Sequence, residues 1–530
     1  MSVAAVVSRA RLPDSRASKW RLIVVVAAVF ALWELAGRWG AASGAFPGPS
    51  QIAEAWWATR ADYPAHILAT LGVSVAGFVL GNIVAIALAV LYQLAPFTEK
   101  LLRTTTVVLF CMPIVVAAPI LSVALPGSWP QIVLSALLVF FPTLLATHLG
   151  LREASGDAVS VVHAAGGGAL RQLRLVRWRA ALPDLLAGMQ IAAPAAVLGA
   201  MLGEFLGSRH GLGIYLIGSM GRGLPSVVWA IGLTATLLSV ALYGLVGLAR
   251  ILAGIERARP TLDLSTTRST RRKSATVAGL TWVAWAAGGV VTLLALWVAF
   301  ISATGLPRTL MNGPQDVLSR LFTGPAAAAT QQVVGEALLV SLQPALIGGA
   351  AGIALSLVLA VLFSSFRDVG RTAMPIAFIT QTVPIVALAP LLALLMGRGF
   401  ATTVAVTVSV TFFPSLLTVM EGIARAPTGP LDVLRSVNAS RWTVLTRVTL
   451  PNATPHVLAS IRLAVPRALT GVLIAEQYVT GAGLGGLLGE ARGTLDYGLM
   501  WVIVCVVAAL SVFVYGVAQL LETAVLRRRR

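Results

Sequence analysis

LDVLRSVNASRWTVLTRVTLPNATP (Leu431–Pro455) has a twin 272 residues upstream, VSVVHAAGGGALRQLRLVRWRAALP (Val159–Pro183). Both separate two long apolar runs, and both interleave apolar residues with Arg. The register extends outward on either side. Phe140-Phe141-Pro142 recurs as Phe412-Phe413-Pro414, Pro183 as Pro455, Glu204 as Glu476, and Gly211-Leu212-Gly213 as Gly483-Leu484-Gly485, every pair 272 apart. Upstream, Gly77, Gly81, Pro113 and Pro119 pair with Gly348, Gly352, Pro384 and Pro390 at 271, so the two registers differ by one residue. Agreement over so many elements makes the chain a tandem duplication.

Composition identifies the duplicated unit. Of 530 residues 57% are apolar and 11% charged, and mean hydropathy is +0.87. A soluble domain carries about 25% charged residues, so this chain cannot clothe itself in water, and it is far too apolar for disorder. Apolar runs fall near 22–40, 65–95, 104–125, 128–150, 185–205 and 224–250, and again near 279–303, 333–364, 372–396, 399–420, 460–480 and 497–524. At about 20 residues per span, the expected fold is all-α and polytopic. It has about twelve transmembrane helices in two tandem, parallel six-helix repeats. The domains expected are 1–255 and 276–530, joined by a basic linker at 256–275.

The charge of +19, from 39 Lys+Arg against 20 Asp+Glu, reads as topology rather than nucleic-acid binding. Arg9 to Arg21, Lys100, Arg103, Arg152 to Arg179, Arg268 to Lys273 and Arg527–Arg530 fall on one side of the predicted topology. Both termini are therefore expected in the cytoplasm of a multi-pass cell-membrane protein, with an uncleaved first span. Cys111 and Cys505 stand alone in apolar runs and offer neither a disulfide framework nor a metal site.

Within the quoted segments, Val162, Ala165, Ala169, Leu173 and Val176, and Leu434, Val437, Leu445 and Val448, fall near helical spacing. Each amphipathic segment, about 159–180 and about 431–450, has a broken middle. Gly166 and Asn438 occupy equivalent positions, and Gly and Asn are the residues that most readily take the left-handed conformation ending one helix before another begins. Ser440 or Asn438 can cap the next helix. A basic helix–elbow–helix with an apolar face suits docking into a partner's groove, and equally suits lying on anionic lipid.

The small-residue elbow, the Leu-Pro about thirteen residues on, the second Pro four later, then an acidic residue and Gly-Leu-Gly, resemble the inner-membrane permease of binding-protein-dependent ABC importers. The nitrate, sulfonate and taurine branch is the most similar. The resemblance covers nearly the whole chain, once per half. It implies the type I importer permease fold, two separate ATPase subunits carrying ATP-Mg, no cofactor bound by this chain, and an external solute-binding protein. It also makes the elbows coupling helices, at Ala165, Gly166, Gly167 and Gly168 and at Asn438, Ala439, Ser440 and Arg441. The second copy has Asn where the family has Gly. The first has Gly167-Gly168-Ala169 in place of Ala439-Ser440-Arg441, and Arg179 in place of Pro451, so its grip on an ATPase is expected to differ.

No G-x-x-x-x-G-K-[ST] occurs, so the chain lacks a phosphate-cradling loop of its own and is not expected to be an enzyme. Gly481 to Gly486 fits G-x-G-x-x-G but comes after a membrane span rather than a strand, and reads as a bend at the outer mouth. Glu204 and Glu476, near the outer end of each fifth span, either cap that bend or line the path. Thr380, Gln381 and Thr382 before Pro384, opposite Phe110-Cys111-Met112 before Pro113, either face the solute or satisfy backbone groups freed by the Pro. The alternative architecture is a twelve-span major facilitator, which predicts one long central loop instead of a long loop after each fourth span. The scattered His residues support no membrane enzyme.

Overall fold

The computed structural model describes residues 27–28, 30–38, 46–255, 275–366, 370 and 384–528. Among them nine helices are long and apolar enough to cross a membrane, ten when Pro96–Cys111 and Ile114–Ala124 count as one broken span. No strand occurs among the described residues. The runs near 22–40 and 372–396 lie partly outside them, and the linker at 256–274 and Thr380, Gln381 and Thr382 wholly so.

The first half runs through a second span, Tyr63–Leu94, a broken third, a fourth, Trp129–Arg152, a fifth, Ala169–Glu204, and a sixth, Pro225–Leu252. The second half repeats it as Ala327–Ser365, Ile385–Met396, Phe400–Ala424, Trp442–Thr480 and Tyr497–Arg527, preceded by a first span over Ala275–Thr304. A run expected as one span at 104–125 is two helices bent by 98°. Pro113 at the break has extended backbone (φ −62°, ψ 119°), cannot donate to the preceding turn, and starts the next helix. Pro384 has the same extended backbone (φ −58°, ψ 122°) at the head of Ile385–Met396.

Within each half the second, fourth and fifth spans pack together through small residues. A Cβ at Gly81 would lie 2.5 Å from the Ala136 carbonyl, and one at Gly199 2.5 Å from Ser135 Cα, so these glycines set how closely the helices approach. Gly348 and Gly352 make the same close approach to Thr407 and Thr411. The fifth span is the most enclosed in each half, with 61% of its apolar window buried. The halves meet where Ala275–Thr304 packs against Pro96–Cys111, and where each sixth span packs against the other half's third span. Val228 and Ile231 there join Ala387 and Leu391, and Val115 joins Ile503 and Val507, in one buried cluster.

Candidate functional site

Each half carries a duplicated device at either end of its fifth span. At one end is the elbow. The helix Gly156–Ala164 stops at Ala165, and Gly166 takes φ +76°. The Gly167 N–H then donates to the Val162 carbonyl at 2.8 Å, closing the six-residue loop of a Schellman end. Thr428–Ser436 ends in the same way: Asn438 takes φ +51° and the Ala439 N–H reaches the Leu434 carbonyl at 2.9 Å. The next helix is capped by Ser440, whose Oγ accepts from the Thr443 N–H at 3.1 Å. Its counterpart Gly168 has no side chain to do this. Arg441 opens the helix Arg441–Val444, and its side chain lies outside the described residues.

The expected coupling segments, about 159–180 and about 431–450, are not self-contained. Past each elbow the chain is already the beginning of the fifth span, which passes through a π turn at Leu173–Arg177 or Leu445–Thr449 and runs on. The helix has no terminator there, so motion at the elbow and motion of the span are mechanically one. Leu173 and Leu445 are buried in these turns, whereas Val161 and Leu170 in the first elbow and Val433, Val437 and Trp442 in the second are exposed by half or more. Val161 matches Val433, and Leu170 matches Trp442, at the 272 offset. Each elbow thus holds up a pair of apolar side chains at matching positions on either side of its left-handed residue.

At the other end is a carboxylate latch. Glu204 is 1% exposed: its Oε1 accepts from the Thr70 hydroxyl at 2.7 Å and its Oε2 from the Gly213 N–H at 2.7 Å. Thr70 in turn accepts from the Leu212 N–H at 2.8 Å. The second half repeats the arrangement, with Ser341 donating to Glu476 Oε2 at 2.8 Å, the Gly485 N–H to the same oxygen at 2.9 Å, and the Leu484 N–H to Ser341 at 2.8 Å. These N–H groups open the short helices Leu212–Gly221 and Gly483–Gly493, where unpaired donors and the positive end of the helix favour a carboxylate. A Cβ at Gly211 or Gly483 would fall inside the contact distance of the Glu carboxyl, and one at Gly485 2.6 Å from Glu476 Cβ. The Gly-Leu-Gly motif is therefore the seat of the carboxylate, tying second span, fifth span and short helix together. Of the two readings open for Glu204 and Glu476, these bonds are those of a cap on the bend. Sequence reasoning did not identify Thr70 and Ser341. The available signal was a hydroxyl at both positions, 271 apart.

The two latches differ. Glu476 Oε1 is buried and has no hydrogen-bond partner among the described residues. Beyond it, Phe205 and Tyr478 meet edge to face across the seam between halves at 4.8 Å, and the Arg492 guanidinium crosses to the Leu206 carbonyl at 2.6 Å.

The sequence profile of the family described as "binding-protein-dependent transport system inner membrane component" matches residues 77–250 and again 352–527. The chain belongs to that family. Its relatives include a probable ABC transporter permease protein of Haemophilus influenzae, 28% identical over 43% of this chain and 90% of its own length. A riboflavin transport system permease protein of Chloroflexus aurantiacus is 28% identical over 48% and 96%. A formylaminopyrimidine transport permease protein of Halalkalibacterium halodurans is 28% identical over 34% and 73%. Each spans less than half of this chain while matching most of its own, so this permease holds in one chain two copies of what these relatives have once. It is an ABC importer permease, a multi-pass transport subunit of the inner membrane, and the major-facilitator alternative finds no support.

Proposed function

We propose that the permease forms the whole translocation path of an ATP-driven importer, with two ATPase subunits, one at each elbow, and an external binding protein delivering a small solute at the latch end. The elbows, the linker and both termini then lie in the cytoplasm, where the Lys and Arg residues concentrate. The supporting observation is the matched exposed pair at each elbow, Val161 with Leu170 and Val433 with Trp442. Large apolar side chains held out beside Arg171, Arg174 and Arg447 suit a groove on a partner subunit.

ATP and Mg are held by those partners. Their closure draws the elbows together, and because each elbow is continuous with its fifth span, the spans tilt and the path changes the side to which it opens. Glu204 and Glu476 keep the outer mouth rigid as this happens, a gate role. Thr380, Gln381 and Thr382 contribute polar groups to the path. The relatives' names and the sequence resemblance bracket the solute as sulfonate-, nitrate- or taurine-like, or a vitamin precursor.

Purification from membranes with a candidate ATPase subunit of the same organism co-expressed tests this reading. Two ATPase chains per permease by native mass spectrometry, with uptake that needs ATP, is the expected result. Absence of any ATPase, with uptake driven by an ion gradient in ATP-free vesicles, contradicts it.

A further inference from the structure

Each half also carries a short helix between its first and second spans, lying against its sixth span: Pro49–Ala58, and Pro314–Leu318 with the π turn Ser319–Thr323. The first sits at the latch end, where Trp56 meets Tyr63 and Tyr63 meets Tyr215 of the helix Leu212–Gly221. The two helices start alike. The Gly48 N–H donates to Gln51 Oε1 at 3.0 Å and the Gly313 N–H to Asp316 Oδ2 at 2.8 Å, and the next residues, Ile52 and Val317, are both buried. At that offset of 265, Arg320 stands where the first half has Ala55.

Arg320 fills the space between its helix and the sixth span. Its Nη2 donates to Asp496 Oδ2 at 2.5 Å, and a Cβ at Gly498 would lie 2.5 Å from its Nη1. The first half has none of the three parts of this plug: Ala55 stands for Arg320, Leu224 for Asp496 and Ser226 for Gly498. In their place is a cavity of about 430 Å³ whose walls include Phe46, Gln51, Glu54, Ala55, Ala58 and Ser226. Glu54 is exposed and has no ion pair among the described residues, and the second half has Ser319 in its place. One copy of the fold thus brings its own guanidinium to this groove, and the other presents a carboxylate over an open one, the arrangement that receives a cationic side chain from outside.

We propose that the groove beside Glu54 receives an arginine or lysine side chain of the external binding protein. The twin groove is already filled by Arg320, so the pseudo-twofold surface accepts the binding protein in one orientation only. This rests on the permease reading above, which puts solute delivery at the latch end. The ammonium headgroup of a lipid is the competing cation, since the exposed Trp57 suits a membrane interface. The twin groove favours protein: its occupant is a side chain, and Arg320 and Asp496 stay 32% and 33% exposed, in water rather than among acyl chains.

A photo-crosslinking amino acid at Ala58, exposed on the groove wall one turn from Glu54, reads the occupant in intact cells of the source organism, with adducts identified by mass spectrometry. The expected adduct is a solute-binding protein, joined close to a surface Arg or Lys. Its yield should fall about tenfold in A55R/L224D/S226G, which rebuilds the second half's plug, and about tenfold in E54K, and should be kept in E54D. An adduct with lipid alone, no adduct, or a binding-protein adduct that either variant leaves undiminished overturns the proposal. Copurification of an ATPase subunit, read on the same cells, shows that each variant is folded. Where it persists and the adduct fails, the docking site alone is struck; its absence from the parent chain strikes the importer reading instead.

Discussion

At the residue scale, the duplicated Glu and Gly-Leu-Gly form one chemical unit whose two copies are satisfied differently. Glu204 uses both oxygens, one for the Thr70 hydroxyl and one for the Gly213 N–H. Glu476 meets both donors with Oε2 and leaves Oε1 without a partner among the described residues. An amide can replace the second arrangement, with its oxygen where Oε2 was, but in the first its NH2 must oppose a donor. Glu204→Gln is therefore expected to destabilise the protein by about 2 kcal/mol, and Glu476→Gln by about 0.5 kcal/mol or less, as read by unfolding in detergent. Equal losses would show that the oxygens are not used as described. The acids were legible in the sequence because duplication placed them twice. Their partners were not, because Thr70 and Ser341 sit on another span 134 and 135 residues away, and a hydroxyl in an apolar run carries no local signal.

At the element scale, the elbow was legible from Gly166 and Asn438, and its geometry comes from the backbone conformations those residues tolerate. The extent of the helix beyond it was not legible, because a π turn has no sequence signature and the Arg-rich face suggested a separate helix. In the proposed coupling the left-handed residue is the pivot. Asn438→Gly should keep ATP-coupled uptake near wild type. Asn438→Val, which costs about 1–2 kcal/mol in that conformation and more if the helix end unravels, should lower uptake severalfold at unchanged membrane abundance. Uptake unaffected by Asn438→Val would mean that the elbow does not transmit force. The bend at Pro113 was hidden for a related reason: a Pro in an apolar run marks a weak point, but only packing decides whether the helix kinks or turns through 98°.

At the scale of the whole molecule, duplication supplies the pseudo-twofold arrangement and divergence supplies its polarity. The second half holds a buried Arg462–Glu522 pair where the first has Gln190 and Arg250. Removing one partner leaves a buried charge uncompensated, so Glu522→Gln should lower stability by about 3 kcal/mol. Arg462→Met with Glu522→Met should restore most of it. A double variant no better than the single would place the pair's importance outside the ion pair itself. The overall plan, two parallel six-span units, was open to reading because apolar runs and repeat offsets survive divergence. The seam between halves was not, since it is built from Val, Ile, Leu and Ala that differ little from lipid-facing ones. If the elbows seat ATPase subunits, a photo-crosslinking amino acid placed in turn at Val161 and at Val433 in the intact complex should give an adduct with an ATPase subunit from both positions. Adducts with lipid alone from either position would show that the elbow lies on the membrane instead.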